Sequence, residues 1–184
     1  MTFRPMPLLL VLGLAGVLAG CAGVPPAPPV QAPVPPPALL TPQEAALERA
    51  LRDFYGAPYV TGGTTPGGVD CSGLVMAAYQ RVGVPLPRTV ADQYRQGQPV
   101  PPGRWRFGDV VFFNRLCQVK KTGPALAAIL PPEAAREVCH NGIYVGNGRF
   151  IHASSQGVQV SSLEAEVWRL SYLGARRYLP PCRP

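Results

Sequence analysis

Apolar residues at Cys71, Leu74, Val75, Ala78, Tyr79 and Val82 follow the i, i+3, i+4, i+7, i+8, i+11 spacing of one helical face. Asp70 stands where an N-cap belongs, which makes Cys71 the first helical residue, and Gly83 with Pro85 closes the helix. Upstream, "TPQEAALERALRDFYG" carries Thr41 as a cap, Pro42 at the first helical position and Glu44 three residues after the cap. Ala45, Leu47, Leu51, Phe54 and Tyr55 share one face of that helix, and Gly56 stops it. Between the two helices, "APYVTGGTTPGGVD" is too rich in Gly and Pro for a regular element and reads as a loop. Further along, the pattern becomes that of strands. "VVFF" (Val110 to Phe113) predicts a buried strand, "HNGIYVGNGRFIHAS" a hairpin about Gly146-Asn147-Gly148, "GVQVSSL" another strand and "LGARRYL" a last one. Helices first and antiparallel strands later predict an α+β domain, its N-terminal helices packed on an antiparallel sheet.

The N-terminal quarter follows neither period. A single cation, Arg4, precedes the 13 apolar or small residues from Leu8 to Gly20. As a helix these make about 20 Å, short of a ~30 Å hydrocarbon core but right for the apolar region of a signal peptide. The run ends in "LAGC", which resembles the bacterial lipobox and implies lipidation of Cys21 after removal of residues 1–20. Ala22 follows that cysteine, which implies the periplasmic face of the outer membrane. Nine of the eighteen residues from Pro25 to Pro42 are proline, so 21–42 is expected to be an extended tether. That leaves 43–184 as the folded domain.

The formal net charge is +7. The longest basic runs are the dipeptides Lys120-Lys121 and Arg176-Arg177, so no cluster with interleaved aromatics marks a nucleic-acid site. An exported basic chain has a carboxylate-rich cell wall as its natural anionic neighbour.

"GVDCSGL" places Cys71 at a helix start, where unpaired N–H groups and the helix dipole favour a thiolate and can face an oxyanion. The adjacent Asp70 would oppose this unless turned away as a cap. A buried apolar cysteine or a disulfide half is the other reading of the tetrapeptide. The chain has only two histidines, His140 and His152, both on the expected hairpin. A two-residue turn (Asn147-Gly148) makes paired residue numbers sum to 295 and sends the histidines to opposite faces. A three-residue turn makes the sum 294, sets His152 opposite Gly142 and places both histidines on one face, one diagonal step apart. Gly148 suits the left-handed residue of a three-residue turn with a bulge. A shared site therefore requires the three-residue turn, and a two-residue turn would refute it.

"YVTGGTTPGGVDCSGLV", "LPRTVADQY", "FGDVVFF", "HNGIYVGNGRFIHAS" and "YLGARR" together resemble the NlpC/P60 cysteine peptidases, in family order from about Leu47 to Arg177. The resemblance implies a papain-like fold and cleavage of peptide bonds in peptidoglycan stems through a thioester. It implies Cys71 as nucleophile, His140 as general base and then acid, and His152 as the residue orienting His140. It also places Tyr59 beside the oxyanion, with Asp70 and Ser72 shaping substrate entry. No metal or cofactor is implied. Two other functions are compatible with the fold: a non-catalytic peptidoglycan-binding scaffold, and an acyl or amide transferase. The intact Cys-His-His set speaks against the scaffold. Arg88 has no assigned role, Gly62 and Gly63 let the backbone turn close to the cysteine, and Trp105 and Trp168 read as packing residues.

Three departures from the family pattern stand out. Thr61 occupies a position where an aromatic is usual, and Asn141 one where an apolar residue is usual. Residues 114–139 form an insert with an expected short helix, "PPEAAREV", bracketed by Cys117 and Cys139. A disulfide between these two would close a loop of about 22 residues and stabilise by roughly 3 kcal/mol. Cys182 leaves 117–182 and 139–182 open as alternatives. The insert is either a flap over the site or a surface decoration.

Overall fold

The computed structural model describes residues 40–115 and 137–180. The leader, the lipidation site Cys21, most of the tether, the expected insert helix, Cys117 and Cys182 lie outside them. Helix α1 spans Pro42–Arg52, with the full capping box between Thr41 and Glu44. Helix α2 spans Cys71–Gln80, and its N-cap Asp70 accepts a hydrogen bond from the Gly73 N–H. A short helix α3 (Val90–Arg95) is capped by Thr89, and α4 (Glu166–Arg169) comes late in the chain. Neither α3 nor α4 was expected, because four to six residues carry too little periodicity to register.

Eight strands lie among the described residues. The Gly-rich stretch before α2, expected as a loop, contains a two-residue ladder of β1 (Thr64–Thr65) and β2 (Gly68–Val69). The main sheet comprises β3 (Gln98–Val100), β4 (Val110–Phe113), β5 (His140–Gly146), β6 (Arg149–Ser154), β7 (Gly157–Ser162) and β8 (Tyr172–Arg177). Their order is β3-β8-β4-β5-β6-β7, antiparallel throughout. The expected α+β architecture is thus the one observed. Pro99 sits in the edge strand β3, where a missing N–H is tolerated.

The two faces of the sheet bury different sets. Leu47, Leu51 and Phe54, together with Leu74, Val75, Ala78 and Tyr79 of α2, pack on Val110, Phe112, Ile143, Val145, Ile151 and Ala153. The opposite face carries Val111, Phe113, Phe150 and Trp168. His140 and His152 alternate onto this second, aromatic face.

The β5–β6 turn corrects the sequence-based expectation. It has two residues, Asn147 and Gly148, with φ of +52° and +67°, and Gly146 pairs with Arg149 at its base. Below a bulge between Tyr144 and Gly146, however, Ile143 pairs with Ile151 and Tyr144 with Phe150. The bulge absorbs one residue, so the ladder beneath it has the alignment expected of a three-residue turn. Turn length alone does not set the register here, and the histidines share a face despite the shorter turn.

Candidate active site

Cys71 is the first residue of α2, so its side chain sits among the N–H groups that the first turn leaves unpaired. Its Sγ lies 3.9 Å from the Cys139 carbonyl oxygen, one residue before His140. Helix α2 and the start of β5 therefore meet at the thiol. Cys71 is not part of a disulfide. Cys139 is disulfide-bonded, its partner being outside the described residues.

The two histidines touch: His140 Nε2 and His152 Nδ1 are 2.9 Å apart, with the rings at right angles. Both are buried. The close approach depends on Gly142, which lies beside His152 on the neighbouring strand. A Cβ at position 142 would come 2.5 Å from the Ile151 carbonyl oxygen and 2.9 Å from His152 Cβ. Trp168 stacks on His140 at 23° and meets His152 edge-on, while Phe150 stacks on His152 and itself meets Trp168 edge-on. The Arg115 guanidinium lies 5.5 Å from the Trp168 ring centroid. Burial in this aromatic shell lowers His152 from an ordinary 6.5 to about 4, so it is neutral near pH 7.

Asp70 is turned away from the thiol as a cap. Its Oδ1 accepts from Gly73 N–H at 2.7 Å, and Oδ2 from Gly62 N–H at 2.9 Å. Arg88 reaches both carboxylate oxygens, at 3.0 and 2.5 Å, and donates to Ser72 Oγ at 2.8 Å. Burial alone would raise the Asp70 carboxyl. Hydrogen bonds from Arg88, Gly73 and Gly62 and the charge of Arg88 outweigh it and hold the carboxyl below its usual range. Arg88 is close enough to feel Cys71 and Tyr59 electrostatically as well. The carboxylate that would oppose a thiolate is thereby neutralised by a residue the sequence left unassigned.

Tyr59 is half-buried and bridges Val69, just before the cap. Gly63 accepts the Asp70 N–H through its carbonyl, and a Cβ on Gly73 would lie 2.0 Å from that carbonyl oxygen. The glycines of this loop do bring backbone against the helix start. Asn141, on the α2 side of the sheet, donates to Gln93 Oε1 at 2.6 Å. Gln93 in turn donates to the carbonyls of Ser72 and Pro87, so a buried amide pair ties β5 to α2 and to the segment carrying Arg88. Asn141 Oδ1 is left buried without a partner. Thr61 is exposed.

Sequence reasoning missed Arg88, the stacking of Trp168 on His140, and Ser161, whose Oγ lies 2.9 Å from His152 Nε2. A signal existed for the last. His152 pairs with Gln159, so Ser161 is one diagonal step away on the same face.

The thiol at the start of α2 approaches the residue before His140, and His140 touches His152, on an α+β fold with a six-stranded antiparallel sheet. The NlpC/P60 family profile matches residues 56–177, and the chain belongs to this family. It is 40% identical over 128 residues to the gamma-DL-glutamyl hydrolase of Bacillus subtilis (strain 168), covering 68% of this chain and 27% of that protein. It is 36% identical over 129 residues to the murein DD-endopeptidase MepS/murein LD-carboxypeptidase of Escherichia coli (strain K12), covering 69% and 58% respectively. An NlpC/P60 family crystal structure from Bacillus cereus ATCC 10987 matches with a TM-score of 0.62 and 31% identity, over 77% of this chain and 42% of that one. The chain spans less than two thirds of the length of the curated relatives it matches.

Proposed function

We propose that this protein is a peptidoglycan endopeptidase that works through a cysteine thioester. The observation that supports the reading is the 2.9 Å contact of His140 with His152, with the Cys71 thiol 3.9 Å from the carbonyl oxygen of Cys139, the residue before His140. His140 commits Nε2 to His152, so Nδ1 is the nitrogen that takes the Cys71 proton. The Sγ then attacks a stem-peptide carbonyl, and the tetrahedral oxyanion forms near the N-terminal N–H groups of α2 and Tyr59. His140 returns the proton to the leaving amine as the C–N bond breaks, which leaves an acyl–sulfur bond. Water, deprotonated by His140, cleaves that thioester and regenerates the thiol. Asp70 and Ser72, both buried, shape the entry from beneath by holding Gly62 and Arg88 in place.

The relatives are named for more than two bonds, MepS also for murein LD-carboxypeptidase activity. MepS and MepH are murein DD-endopeptidases, and the Bacillus subtilis relative is a gamma-DL-glutamyl hydrolase. A lipid anchor at Cys21 and a proline-rich tether would hold the domain on the periplasmic face of the outer membrane, which favours D-alanyl–diaminopimelate cross-links as substrate. The test is release of muropeptides from purified sacculi by wild type and Cys71→Ala, read by mass spectrometry. Cys71-dependent fragments support hydrolysis and their masses name the bond. Binding without release by either protein, on several wall chemistries, would replace this reading with the scaffold.

A further inference from the structure

The hydrogen-bonded chain does not end at His152. Its outer nitrogen, Nε2, lies 2.9 Å from Ser161 Oγ on β7. Three strands thus supply one diagonal row. His140 on β5 is a step below Gly142, His152 on β6 lies beside Gly142, and Ser161 on β7 is a step beyond Gln159, the partner of His152. Because β5 and β7 run in the same direction, the two diagonal steps continue one another across the sheet.

We infer that Ser161 is a positioning residue that fixes the tautomer of His152 and so decides whether His140 can act as a base. This rests on the catalytic reading above. As a neutral base, His140 must present a lone pair at Nδ1, and its own proton must then be on Nε2, donated to His152 Nδ1. His152 must therefore accept at Nδ1 and carry its single proton on Nε2, where Ser161 Oγ accepts it. The other tautomer would donate from His152 Nδ1 into His140 Nε2. That pushes the His140 proton to Nδ1, where it blocks transfer from the thiol. It would also set two N–H groups against each other once His140 became an imidazolium. His152 stays neutral because of its burial, so only the tautomer is left to choose. Ser161 is half-buried, and its own O–H can turn to solvent while the oxygen accepts. Without it, the productive tautomer leaves a buried N–H unpaired, the costlier orphan, and the idle tautomer leaves only a lone pair.

The full chain is tested as wild type, Ser161→Ala and Ser161→Thr. In the wild type, the imidazole ¹⁵N shifts of His152 at pH 7 should show the proton on Nε2. Ser161→Ala should shift that population toward Nδ1–H and lower kcat for muropeptide release about 10- to 100-fold with KM unchanged. Ser161→Thr, which restores the hydroxyl on a strand position, should recover both. A wild-type proton on Nδ1 overturns the inference. So does a folded Ser161→Ala with wild-type kcat and an unchanged His152 spectrum. If Cys71→Ala still releases muropeptides, the catalytic reading fails, and the His152 spectrum alone then supports or overturns the tautomer assignment.

Discussion

Removing the Arg88 guanidinium (Arg88→Ala) leaves Asp70 as an uncompensated carboxylate one residue before the nucleophile. In the native site Arg88 binds both Asp70 oxygens, and the carboxylate side chain is only 13% exposed, against 38% for the arginine. A unit charge roughly 6 Å from the sulfur, at an effective dielectric between about 20 and 80, changes the cost of a thiolate by about 0.7–2.8 kcal/mol. That corresponds to about 0.5–2 pH units. Water reaches Arg88, so the lower half of that range, about 0.5–1 unit, is expected. Asp70 keeps its bonds from Gly62 and Gly73, and the stability cost should stay near 1–2 kcal/mol, between surface and buried pairs. The assay is the rate of Cys71 alkylation by a neutral haloacetamide as a function of pH. The inflection should move up in Arg88→Ala and return towards wild type when Asp70→Asn is added, because the unbalanced charge is then gone. A folded Arg88→Ala protein that alkylates with the wild-type pH profile would show that Arg88 does not serve the thiol.

His152, neutral in the fold at about 4 against 6.5 for an ordinary histidine, contributes stability that is complete above pH ~6.5 and falls by up to about 3 kcal/mol as pH drops toward 4. Denaturant unfolding between pH 7 and 4 should show this slope in wild type and a shallower one in His152→Gln; equal slopes would contradict it. Trp168→Ala should destabilise by about 3–5 kcal/mol and let water reach the histidines, so that His152 titrates nearer 6.5 by NMR. An unshifted His152 in a folded variant would remove the shielding role. Gly142→Ala, with a Cβ pressed against Ile151 and His152, should cost about 1–3 kcal/mol and separate the histidines, read as lower thermal stability together with reduced muropeptide release. Wild-type behaviour in both would mean the strands can part without disturbing the site.

The residue pattern alone determined much of the scaffold. Periodicity and caps placed α1 and α2 to within a few residues, because a capping box and an i, i+3, i+4 stripe are local properties of the chain. Strand β4 and the hairpin strands were legible for the same reason, as was the presence of Cys71 at a helix start and of two histidines on one hairpin. What the pattern did not determine was anything that depends on which distant elements touch. The bulge at the hairpin tip offset a two-residue turn, so the shared face of His140 and His152 came from ladder geometry rather than turn length. Arg88 became part of the site only because the segment before α3 is tied to the start of α2 through Gln93. Ser161 joined the histidines through the register of β6 with β7, and Trp168 through the docking of α4 on the aromatic face. Local sequence sets which residue can cap, turn or ionise. Neutralising Asp70, burying His152 and choosing its hydrogen-bond partner are long-range electrostatic and packing effects, and these exist only once the strands and helices are brought into register.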